Sequence, residues 1–221
     1  MERMPYQPHL QTGVTTTRPL TAPSDRLGDW RFGLPALDGS HVTLRELRMS
    51  DARSLFAAMS TEEVGRFISP PPTTVEGFEQ FIAWTHQQRT AGRYVCFGIV
   101  PHGFEATVGL FQIRTLESDL GVAEWGFALA SEFWGSGLFE EGARLVIDFA
   151  FHALDMHRLE ARAAVRNGRG NGALRKIGAV QEGVLRRSFF RGGEYLDQAL
   201  WSILRDDWPH QTPAASARKL H

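Results

Sequence analysis

The chain has 221 residues, 43% of them hydrophobic, and a formal net charge of −1. That suffices for one sizeable domain, or at most two small ones, and it excludes a global basic field that would draw nucleic acid or a membrane surface. The lone cysteine, Cys96, excludes an internal disulfide, and no apolar run reaches the roughly 18 residues of a membrane-spanning helix.

The first residues lack the apolar heart of a secretion signal, so the expectation is a cytoplasmic protein without nucleic-acid or membrane partners. Residues 1–29 are rich in Pro, Thr and Gln and read as a flexible arm, and residues 209–221 as a flexible tail. One ordered domain is expected over 30–208.

Its first element is "HVTLREL", His41 to Leu47, whose alternation fits a half-buried strand. Ser50 then stands where it can cap a helix carrying Ala52, Leu55, Phe56 and Met59 on one face. The three prolines of "SPPPTT", from Ser69, break the chain. Thr73 and Glu76 have capping-box spacing before a helix that shows Phe78, Phe81, Ile82 and Thr85 on one side. Three strand-like runs follow, Arg93–Pro101, Ala106–Leu116 and Val122–Ala130, joined by short turns that favour antiparallel neighbours. The first contains Cys96, read as a small buried residue.

"SEFWGSGLFEEGARLVIDFAF" places Gly135 and Gly137 before a helical pattern, with Leu138, Leu145, Val146, Phe149, Ala150 and Ala153 on its apolar side. A strand at Arg158–Val165 completes a βαβ unit, which needs a parallel strand pair. A glycine-rich loop, "RNGRGNG", a short helix, "GALRKIG", and a final hairpin around Gly192-Gly193 close the domain. The order is β-α-α-β-β-β-α-β-α-β-β, an α/β (α+β) domain on a mixed sheet.

A glycine turn before a helix is either a plain strand-to-helix turn or an anion cradle. Helix N-termini carry unpartnered N–H groups and partial positive charge, and glycine lets a phosphate approach them closely. The pattern lacks the Gly-Lys-Ser/Thr of a P-loop and the third glycine of a dinucleotide fingerprint. Glu140 and Glu141, in the first turn, would have to turn away from a bound anion.

The stretch "AEWGFALASEFWGSGLFEEGARLVIDFAF" resembles the acyl-CoA-binding core of the GNAT superfamily of N-acetyltransferases, with Glu132 in place of the usual Gln or Arg. "EFWGSG", and the later block "HRLEARAAVRNGRGNGALRKIGAVQEGVLRRSF", resemble the RimJ/RimL-like branch, which includes ribosomal-protein N-terminal acetyltransferases. In "LDQALWSILRDDW", Asp197 holds that branch's usual acidic position.

The resemblance implies a GNAT-like, mostly antiparallel seven-stranded sheet with a splayed parallel pair. It implies acetyl-CoA, or coenzyme A, as co-substrate between Val122–Ala130 and Arg158–Val165. Backbone amides of Trp134, Gly135, Ser136, Gly137, Leu138 and Phe139 would hold its pyrophosphate. Backbone groups of Phe127 and Leu129, and the side chain of Asn167, would hold its pantetheine arm. It also implies a primary-amine acceptor, with a protein N-terminus, an amino acid or a small-molecule amine as the options, and a homodimer as one assembly.

Acetyl transfer to an amine needs a base, because an α-amine of pKa about 7.7–8.0 is mostly protonated at neutral pH. Glu124 is the candidate base; the alternative is a structural carboxylate paired with a neighbouring arginine. The N–H of Phe127 is the candidate donor to the developing oxyanion. The tyrosine that many relatives carry after the asparagine loop is absent: Leu174 and Arg175 stand there. Arg169, Arg175 and Lys176 are either solvated or near a phosphate, and Trp84, Phe189 and Phe190 either core or acceptor lining. His152 and His157 have no metal-ligand spacing, and no metal is expected. The leading expectation is an N-acetyltransferase in which the amine attacks directly within a ternary complex. The alternatives are a non-catalytic acyl-CoA-binding sensor or partner-binding module, and an unrelated phosphate-binding domain. "SPPPTT" and the final hairpin are expected to border the acceptor.

Overall fold

Alternating apolar residues in the strands become alternating buried residues in the computed structural model, which describes residues 29–117 and 120–208. Apart from Asp29, the expected arm lies outside the described residues, as does the expected tail.

Eight strands form one sheet in the order β1-β2-β3-β4-β5-β6-β8-β7. The seven expected strands are Val42–Glu46 (β2), Tyr94–Pro101 (β3), Gly109–Glu117 (β4), Val122–Leu129 (β5), Arg158–Ala164 (β6), Val180–Arg191 (β7) and Glu194–Leu204 (β8). The eighth, Leu37–Asp38 (β1), is a two-residue edge too short to leave a periodic signal. All pairings are antiparallel except β5 with β6.

Helices cover both faces. On one lie α1 (Ala52–Met59), α2 (Glu62–Gly65) and α3 (Val75–Thr90), where Leu55, Phe78, Phe81 and Ile82 pack with Tyr94, Cys96, Leu110 and Ala128. On the other, α4 (Leu138–His152) and α5 (Gly168–Lys176) bury Val146, Ile147, Phe149 and Leu174 with Phe97, Phe111 and Trp125. β3, covered on both sides, is buried along its whole length. Burial there pushes the Cys96 thiol pKa up, with nearby Glu46 adding to the shift, so Cys96 is packing rather than a nucleophile.

Three local expectations are corrected. Ser50 does not cap α1. It lies inside a 3-10 turn, Met49–Asp51, where Asp51 accepts from the Arg48 N–H at 2.7 Å and pairs with Arg45. The cap of α3 is Thr74, accepting from the Gly77 N–H at 3.0 Å, one residue beyond Thr73. And "RNGRGNG" is not a loop: Asn167 accepts from the Gly170 N–H at 2.9 Å, and α5 starts at Gly168.

Candidate functional site

The parallel ladder between β5 and β6 consists of Val122↔Arg158, Ala123↔Leu159 and Glu124↔Glu160, and then ends. Beyond it the strands diverge. The direction of the β5 backbone follows from its other edge. Ala130 N–H donates to Val108 at 2.8 Å, toward β4. In an antiparallel ladder a residue's N–H and C=O point the same way, and the direction alternates along the strand. Phe127 and Leu129 therefore direct their backbone groups into the gap. One lone pair of the Leu129 carbonyl is taken by the Trp134 indole, which donates to it at 2.8 Å.

The gap opens onto the start of α4. Gly135 and Gly137 have φ of 79° and 89°, in the left-handed region, and a Cβ on either would meet nothing within 4 Å. Glycine is there for its conformation, not for lack of room. Gly137 is the N-cap, and no side chain caps the helix from that position. The first-turn N–H groups thus face outward beside the gap. Ser136 donates its hydroxyl to the Phe133 carbonyl at 2.6 Å, and its Oγ accepts a long hydrogen bond from the Leu138 N–H at 3.4 Å.

Glu141 leaves the cradle: its carboxylate accepts from the backbone N–H groups of Ser40 and His41. Glu140 stays beside the groove, but Lys176 at 2.8 Å and Arg144 at 3.3 Å neutralise it. Hydrogen bonds from Lys176 first, then Arg144, hold its carboxyl below the usual range.

A groove of about 490 Å³ runs along this site. Phe127, Leu129, Trp134, Gly135, Gly137, Phe139 and Asn167 line it, seven of the residues expected to hold the donor. Ser136 and Leu138 do not line it; the Leu138 side chain is buried in the core. Arg169 and Lys176 border it, with the Arg169 guanidinium 4.2 Å from the centre of the Trp134 ring, while Arg175 lies instead 5.6 Å from the centre of the Trp201 ring.

A second cavity, of about 270 Å³, adjoins the groove at Phe127, Ala128 and Asn167. Glu124 lines it, and the arginine pairing foreseen as the alternative is present. Arg114 donates to Glu124 at 2.7 Å, and Arg162 lies 3.5 Å away. Ser69, at the head of the proline loop, and Ser188, Phe189 and Gln198, from the β7–β8 hairpin, form part of the wall. Trp84 packs against Phe81 and Tyr94, and Phe190 is exposed beside Tyr195, so neither lines this cavity. Arg191 ties the hairpin tip to α2 by donating to the Gly65 carbonyl at 3.1 and 2.6 Å.

Phe67 and Ile68 border both cavities but do not figure among the sequence candidates. They sit in the turn after α2, a four-residue helix too short to show a period. Arg114 and Arg162 were also missed. The Arg158, Glu160, Arg162 alternation in β6 is a period-two signal for one charged face, but it says nothing about which strand lies opposite. Among the described residues, no group of three or more His, Cys, Asp or Glu could hold a metal, and no helix is long and apolar enough to cross a membrane.

A central sheet that splays at one parallel pair, with a helix N-terminus facing the gap, defines a groove for an elongated anionic ligand. The model of the Acetyltransferase (GNAT) domain matches residues 41–180, and the chain belongs to this acetyltransferase family. Among relatives from Bacillus subtilis (strain 168), it is 30% identical to Probable N-acetyltransferase YjcK over 77% of this chain and 98% of that one. It is 28% identical to Uncharacterized N-acetyltransferase YoaA over 77% and 97%. Mycobacterium smegmatis RimJ, solved in complex with CoA-disulfide, shares the fold with a TM-score of 0.70, 24% identity, and coverage of 76% of this chain and 84% of that one.

Proposed function

We propose that the protein transfers an acetyl group from acetyl-CoA to a primary amine in a ternary complex, with the donor in the β5–β6 groove and the amine in the adjoining cavity. The observation that carries this reading is the ladder that stops at Glu124–Glu160 and leaves Phe127 and Leu129 facing a gap that ends at Gly137. The residues fit the donor: an elongated amide chain pairs with a strand's free edge, and a pyrophosphate suits a helix start whose N-cap, Gly137, has no side chain, behind two left-handed glycines.

The thioester supplies an acyl carbon with a good leaving group. Phe127 N–H, aimed into the gap, donates to the acyl oxygen as negative charge builds there. The Leu129 N–H aligns the pantetheine arm. Asn167, its Oδ1 occupied by the cap of α5, offers its Nδ2 to a pantetheine amide. The amine nitrogen forms the new C–N bond as the C–S bond breaks. Glu124, held in place by Arg114, accepts the amine proton through water, and solvent protonates the departing thiolate.

Glu124→Gln tests the base. Turnover is expected to fall about 10²–10⁴-fold, with the acidic limb of the pH–rate profile displaced and coenzyme A affinity retained. Unchanged turnover and pH profile would remove Glu124 from the chemistry. A wild-type protein that binds coenzyme A but consumes no thioester across a broad amine panel is a sensor instead.

A further inference from the structure

Six charged side chains alternate in sign across β4, β5, β6 and β7, in the order Arg114, Glu124, Arg162, Glu160, Arg158, Glu182. Two of the guanidiniums are committed. Arg114 donates to Glu124 at 2.7 Å; Arg158 donates to Glu160 at 3.0 Å and to both oxygens of Glu182 at 2.8 and 2.5 Å.

Arg162 differs. Its guanidinium nitrogens stand 3.5 Å from Glu124 and 3.7 Å from Glu160, outside the about 2.7–2.9 Å of a charge-assisted hydrogen bond. Among the described residues it makes no hydrogen bond. Each carboxylate beside it already has a nearer guanidinium. Yet Arg162 lines the acceptor cavity, whose charged residues are otherwise Arg114 and Glu124. The cavity wall thus includes a planar fork that makes no hydrogen bond among the described residues.

We propose that Arg162 binds a carboxylate carried by the acceptor, so that the acceptor is an amine with a carboxylate a few bonds away. The inference rests on the acetyl-transfer reading above and deepens it. An amino-carboxylate carries the two charges of the loose Glu124–Arg162 pair and exchanges into it. Its amine takes the place of Arg162 beside Glu124, and its carboxylate takes the place of Glu124 on Arg162. That exchange puts the nitrogen beside the group proposed to receive its proton and gives the guanidinium the bidentate partner it lacks. The positive charge of the guanidinium also favours the neutral, nucleophilic form of a nearby amine. A polyamine would place its further cations beside the guanidiniums of Arg114 and Arg162. Two sources offer the required chemistry: a free amino acid, and a peptide whose first residue has an acidic side chain.

Matched acceptors distinguish them: L-alanine against L-alaninamide, aspartyl-alaninamide against asparaginyl-alaninamide, and spermidine as the polyamine. For each, kcat/KM is measured by thioester consumption, and affinity by calorimetry in the presence of coenzyme A. The carboxylate member of at least one pair is expected to exceed its amide by about tenfold or more in both. The pair that shows it identifies the source. In Arg162→Gln the ratio falls toward one while coenzyme A affinity is kept, which reports an intact fold. In Arg158→Gln, outside the cavity, the ratio persists. Equal use of acid and amide, preference for spermidine, or a ratio that survives Arg162→Gln overturns the inference. Acid-selective binding without turnover of any amine overturns acetyl transfer but leaves the carboxylate site standing. Absence of both overturns the carboxylate site, whatever the coenzyme A titration shows.

Discussion

Gly137 is where one torsion sets the turn that leads into α4. At φ of 89° a side chain meets no neighbour, so what a substitution disturbs is the backbone itself. A non-glycine residue in the left-handed region costs about 1–2 kcal/mol, and a β-branched one fits it worst. Gly137→Val is therefore expected to lower unfolding free energy by about that amount and to weaken coenzyme A binding, as the turn relaxes away from the geometry that aims the α4 amides. Denaturant melts and coenzyme A titration of the same sample check both. The glycines were legible in sequence because their need is local. Arg162 was not, because its meaning depends on Glu124 and Glu160, which reach it from another strand and from two residues back along β6.

Helix boundaries show how tertiary burial overrides a local motif. Thr73 and Glu76 have capping-box spacing, but Thr74 holds the cap, and burial of Gly77, Phe78, Phe81 and Ile82 phases the helix from there. Thr74→Ala removes the hydrogen bond to Gly77 N–H. It is expected to cost about 1 kcal/mol, which for a domain of this size lowers Tm by about 2–4 °C. Thr73→Ala is the comparison, and a larger loss there would restore the sequence-based cap. α5 makes the opposite lesson. Its glycines argue against a helix, since each costs about 0.8–1.0 kcal/mol relative to alanine. The Asn167 cap, and burial of Gly170 and Leu174, outweigh that cost. The residue read from resemblance as a ligand group is also what starts the helix.

Across the whole molecule, the order and type of the strands were legible because alternation and turn residues are local signals. The point where β5 and β6 part was not, since no residue in either strand states how far its ladder runs. The charged row over β4–β7 is likewise a property of the assembled sheet. Its outer end carries a pH signature. Arg158 first, then Ser202, holds the Glu182 carboxyl down at about 2, from an ordinary value of 4.5. A carboxylate whose folded pKa is depressed stabilises the fold above its unfolded pKa. That contribution is lost as pH falls from about 4.5 toward 2. Tm measured against pH is expected to fall more steeply over this window for the wild type than for Glu182→Gln. Parallel curves would show that the pair is too solvent-screened to matter.

The groove between the diverging strands is the centre of the account, and calorimetric titration of the intact protein with coenzyme A tests it most directly. Saturable binding at one site per chain, weakened in Gly137→Val and unchanged in Arg162→Gln, is the predicted result. No binding, or binding indifferent to Gly137→Val, would contradict a donor site at the β5–β6 splay.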